Sequence, residues 1–123
     1  MNSIQLRLEE WLQAILLTEN PSKEIVAFRF GLSEDEDGYL VYLAGSEKHD
    51  EADDEWASYP PDFLAKKEAH VADDEVTDWS ELLELMMDFL NTTLKTSQAA
   101  ASFLGGSTPV HTGFVDGDLH RIK

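Results

Sequence analysis

There is no cysteine in this chain, so neither a disulfide nor thiolate chemistry is available to it. Basic residues are scarce: nine Lys and Arg stand against 25 Asp and Glu, a formal net charge of −16. A field of that sign repels nucleic acid and anionic membrane surfaces, so neither is expected as a partner. No apolar run is long enough to span a bilayer. The richest, residues 11–17, is broken by Gln13, and Arg7, Glu9 and Glu10 interrupt the pattern that a signal peptide would need. A cytoplasmic protein is the expectation.

Catalytic signatures are missing too. His49, His70, His111 and His120 have no metal-site spacing, and no serine sits in a nucleophile elbow. Gly105-Gly106-Ser107-Thr108 follows a helical pattern, whereas a phosphate loop precedes its helix so that the helix N-terminus faces the anion. Ser33, Asp35, Asp37 and Gly38 imitate the opening of an EF-hand loop, but its twelfth position is Ala44 instead of a bidentate glutamate. The chain is therefore expected to be non-enzymatic, with no catalytic residue, no metal site of a known pattern and no cofactor.

What is present is a foldable core. Hydrophobic residues make up 42% of 123 positions and aromatics 10%, too apolar for an acidic tail and enough for a single domain. Ile4, Leu8, Trp11, Leu12, Ile15 and Leu16 recur at helical spacing, which predicts a helix over residues 3–18 that ends at Asn20-Pro21. From Glu24 the period becomes two, placing Val26, Phe28, Phe30 and Leu32 on one side and Ile25, Ala27 and Arg29 on the other. A second such run, residues 39–44, follows the polar segment 33–38, and together they predict an antiparallel hairpin. Residues 46–77 form an excursion in which Pro60-Pro61 excludes a helix interior or a central strand.

Asp78, with Glu81 three residues on, opens a second helix whose buried stripe is expected to be Trp79, Leu82, Leu83, Met86, Phe89, Leu90 and Leu94. Residues 98–104 either extend it or form a short helix of their own, and Gly105-Gly106 stops them. One or two short strands around Asp116-Gly117 complete the chain. The fold class expected is α+β, a small mostly antiparallel sheet covered on one face by two main helices, with Val26, Phe28 and Phe30 packed on Trp11, Leu12, Leu83 and Met86.

Fourteen of the 25 acids fall in three windows, 34–37, 47–55 and 73–78, all at loops or element edges. If those segments converge, they make one negative patch. Within it Asp35, Asp37, Asp50, Asp53, Asp54 and Glu55 steer a basic protein partner, and Trp56 and Tyr59 anchor it, with Phe63 a further candidate. Packing supplies affinity in such an arrangement, while charge supplies rate and selectivity. Trp56 has an equal alternative as a packed residue that closes the excursion. Two readings from other classes stay open: a divalent-metal or regulatory module using Asp50, Asp53, Asp54 and Glu55, and a module whose charge is only solubilising.

Separate blocks of the chain carry a family likeness. Phe30-Gly31-Leu32, the run DGYLVYLAGS at 37–46, the acidic approach to Trp56-Ala57 and GFVDGDL at 113–119 resemble bacterial immunity proteins of polymorphic or contact-dependent toxin systems. The likeness covers about half the chain. It implies a cytoplasmic, non-enzymatic inhibitor that binds and occludes a basic cognate toxin, commonly a nuclease. It names neither the toxin nor the oligomeric state.

Overall fold

Helix α1 spans Ser3–Thr18 in the computed structural model, which describes residues 3–49, 56–57, 60–105, 108–114 and 119–122. Its stripe is buried as its spacing requires, with Ile4, Leu8, Trp11, Leu12 and Ile15 turned inward. Strands β1, Ala27–Asp35, and β2, Gly38–Ser46, form the hairpin, in a register that sets Phe30 opposite Leu43 and Leu32 opposite Val41. The connection is tighter than the polar segment 33–38 suggests. Ser33, Glu34 and Asp35 continue the ladder, because outward polar side chains do not prevent backbone pairing, and only Glu36 and Asp37 turn. Gly38 then has a φ of +151°, and a Cβ there would lie 2.2 Å from the carbonyl oxygen of Val71. Glycine alone meets both conditions.

The excursion contributes two strands that its sequence does not announce. Strands β3, Phe63–Leu64, and β4, Ala69–Ala72, both pair antiparallel with β2 on the same edge. A 3₁₀ turn, Asp73–Glu75, leads to helix α2, Trp79–Thr96, and helix α3, Gln98–Phe103, is a separate short helix. Strand β5, Val110–Phe114, then lies parallel to β1, and β6, His120–Arg121, pairs antiparallel with β5. The order across the sheet is β3-β2-β1-β5-β6, with β4 also on β2. This is the expected α+β class. The expected turn at Asp116-Gly117 lies outside the described residues.

The core fills the space between helices and sheet: Phe28, Phe30, Leu32, Val41, Leu43, Val71 and Val110 meet Leu8, Trp11, Leu12, Leu82, Met86 and Leu90. Trp11 packs edge-on against Phe30 at 6.0 Å and donates its indole N–H to the Lys67 carbonyl at 2.9 Å, so its one polar atom is satisfied. Thr112, fully buried, donates its hydroxyl to the Phe30 carbonyl at 2.7 Å.

Two residues depart from the expected core. Val26 is 43% exposed, because the alternation changes phase one residue before β1 begins. Ile25 takes its place, reaching over Gly45 on the helix side. Trp79 is 52% exposed: as the first residue of α2 it projects past the end of the core instead of into it.

Candidate partner-docking surface

The hairpin tip gathers charge by backbone pairing. Asp35 accepts the amide of Asp37 at 2.9 Å through its side chain, which fixes the turn. Gly38 pairs with Ala72 across the β2–β4 ladder, and the amide of Asp73 donates to the Asp37 carbonyl at 3.1 Å. The acidic windows 34–37 and 73–78 are thus joined at one end of the sheet. Glu34, Asp35, Glu36, Asp37, Asp73 and Asp74 are all exposed there.

Besides Asp35, which takes the Asp37 amide and lies 3.5 Å from Nε2 of His70, two carboxylates of this region are used internally. Arg7 holds Glu75 in a two-pronged pair, one arm at 2.9 Å, and the Ala72 amide donates to the same carboxylate at 2.7 Å. These contacts, the Arg7 hydrogen bond foremost, bring the Glu75 pKa down to about 2. Asp78 caps α2, accepting the Ser80 hydroxyl at 2.7 Å and the amides of Ser80 and Glu81 at 3.1 Å each. Its pKa is lowered, first by the Ser80 side chain. The Glu81 carboxylate in turn accepts the amide and the hydroxyl of Thr77, the residue before the cap, at 3.2 Å each. The acids of this end make a field that Tyr39 registers. Its phenol is pushed above the ordinary tyrosine value, by burial first and then by Glu34, Asp78 and Asp73.

Beside this acidic end stands a chain of three rings. Tyr39 packs edge-on against Phe114 at 5.9 Å, and Phe114 against Trp79 at 5.8 Å. Trp79, Leu83, Glu84, Met87, Phe114 and His120 line an open groove of about 460 Å³. An exposed aromatic within an acidic surround is the arrangement the sequence suggested for Trp56. The structure supplies it at Trp79. The available sign was the N-cap itself, since a residue directly after Asp78 must lie on the first turn, at the margin of the core.

Asp35 and Asp37 belong to this surface. Asp50, Asp53, Asp54, Glu55 and Tyr59 lie outside the described residues. Trp56 is only 5% exposed, against His49 and His111 at 5.1 Å each, and Arg29 ties its neighbour down by donating to the Ala57 carbonyl at 2.7 Å. Of its two alternatives Trp56 takes the packed one, which leaves little of the ring for a partner. Of the acids in the window 47–55 only Glu47 is among the described residues. That window leaves β2 after Ser46, eight residues from the tip glycine Gly38, or ~26 Å along the strand. Phe63 is half-buried against Phe28.

Among the described residues no three His, Asp or Glu side chains are arranged to hold a metal ion, and no helix is long and apolar enough to cross a membrane. No protein family, curated protein or solved structure matches this chain.

Proposed function

We propose that the protein is a non-enzymatic acidic binding protein that docks a basic protein partner on the hairpin-tip end of its sheet. Its role is that of an immunity-type inhibitor in the cytoplasm. The observation that supports this most is the meeting of two acidic windows, from segments far apart in sequence, beside a half-exposed tryptophan. Carboxylates that face solvent steer a cationic protein at long range, and the ring supplies apolar contact once it arrives. The likeness to immunity proteins points the same way and suggests the mechanism. The acidic tip enters the substrate cleft of a basic toxin, and its carboxylates take the positions of substrate phosphates.

Charge and ring are expected to act on different rate constants. Changing Asp35, Asp37, Asp73 and Asp74 together to Asn should slow association with the toxin encoded beside this chain and flatten its salt dependence. Trp79→Ala should speed dissociation, at a cost of about 2–4 kcal/mol in binding, and leave the salt slope unchanged. Association at the parental rate at low salt by the four-Asn variant, shown to be folded, would overturn the steering role.

A further inference from the structure

We infer that the groove beside Trp79 is the seat of an arginine side chain of that partner, an inference that rests on the docking reading above and names what the surface grips. An arginine is long, apolar along its stem and flat at its charged end, and each part has a counterpart here. Leu83, Met87 and Phe114 offer an apolar floor for the methylenes. The half-exposed Trp79 ring offers a π face, the best of the aromatic surfaces for a guanidinium. Glu84, exposed on α2, places a carboxylate in the lining of the same groove. The positive end of the α2 dipole would oppose a cation, but the Asp78 carboxylate already receives the amides of Ser80 and Glu81.

The molecule makes this kind of contact on its own account, since the Arg29 guanidinium lies 5.7 Å from the centre of the Tyr42 ring. Lysine fits less well. Its ammonium is a compact, strongly hydrated charge that gains from the acidic surround but little from stacking. An apolar side chain would suit the floor and make no use of the carboxylates around it. Charge complementarity therefore selects a cation, and the ring selects the flat one.

The test uses two probes of like charge, octa-arginine and octa-lysine, titrated into the isotopically labelled full chain at low salt. The pH is kept at about 8 for both peptides, so that each carries its full side-chain charge. Octa-arginine should bind about threefold to tenfold more tightly than octa-lysine. Its binding should shift the indole N–H resonance that Trp79→Leu removes. That variant keeps apolar bulk at the position and should abolish the preference for arginine, bringing octa-arginine down to the affinity of octa-lysine. Glu84→Gln, which leaves the ring in place, should weaken octa-arginine by at least about twofold and serves should the first variant fold poorly. Equal affinities for the two peptides, with a stationary Trp79 resonance, would overturn the arginine seat and leave the docking reading standing. Binding of neither peptide would overturn the docking reading and the arginine seat with it.

Discussion

Phe28 and Trp79 show what position does to two large aromatic side chains of one chain. Phe28 is 2% exposed and has Phe63 at 6.4 Å and Phe103 at 6.5 Å, so truncation leaves a cavity that three elements cannot close. Phe28→Ala should cost about 3–5 kcal/mol in denaturant unfolding, whereas Trp79→Ala should cost only about 1 kcal/mol because half of the ring already faces water. Tyr39 offers a measurement of the acidic field itself. Glu34, Asp73 and Asp78 raise its pKa, so Glu34→Gln or Asp73→Asn should lower the alkaline midpoint of one tyrosine in an absorbance titration. Burial is the larger cause, so the midpoint should stay above the free value in either variant. The burial of Phe28 and the exposure of the tip acids were legible in the sequence, because alternation and charge are local signals. The fates of Trp56 and Trp79 were not. What buries the first is His49 and His111, the latter on a strand far along the chain, and what exposes the second is where the core ends.

Elements are held to one another by a few long-range polar contacts, of which the Arg7 clamp is the clearest. It joins α1 to the Asp73–Glu75 turn, and a third bond from Arg7, to the His70 carbonyl at 2.8 Å, reaches β4. Glu75 has its pKa lowered from 4.5 to about 2 on folding, so its contribution is fully present above the unfolded value and is lost as pH falls through that interval. Arg7 is 40% exposed and Glu75 27%, so screening reduces the effect to about 1–2 kcal/mol at neutral pH. Arg7→Gln should therefore lower the stability measured by urea unfolding at pH 7 by that amount. The difference from the parent should shrink between about pH 4.5 and pH 2. Helix α1 and the hairpin strands were readable from periodicity, and the cap of α2 from Asp78 with Glu81 three residues on. Strands β3 and β4 were not, since they are two and four residues long and exist because β2 offers them an edge.

Across the whole molecule, the charge is organised by the sheet. Exposed carboxylates collect at the hairpin tip, while the face away from the helices carries Arg29 and His111, paired on neighbouring strands. Self-repulsion at −16 opposes the compact state, so added salt should raise the melting temperature through screening, and most steeply below about 0.1 M. A flat or falling curve over that range would mean that internal pairs such as Arg7 with Glu75 dominate the electrostatics. The sequence supplied the sum of the charges but not their map, because which windows meet depends on a β2–β4 ladder that no local pattern encodes.

The parallel pairing of β1 with β5 has a consequence for the order in which this molecule comes into being. Phe30 and Thr112 lie 82 residues apart in the chain yet share the middle of the sheet. On the ribosome the hairpin follows α1 with one side of β1 bare, and that side must wait for a partner 82 residues further on. Meanwhile α1 and α2 have a half-built floor to settle on, and a nascent chain in that state exposes the apolar surface and open strand edge that chaperones recognise. Until β5 has been made, β1 keeps one edge without a neighbour, and the sheet is open along its middle.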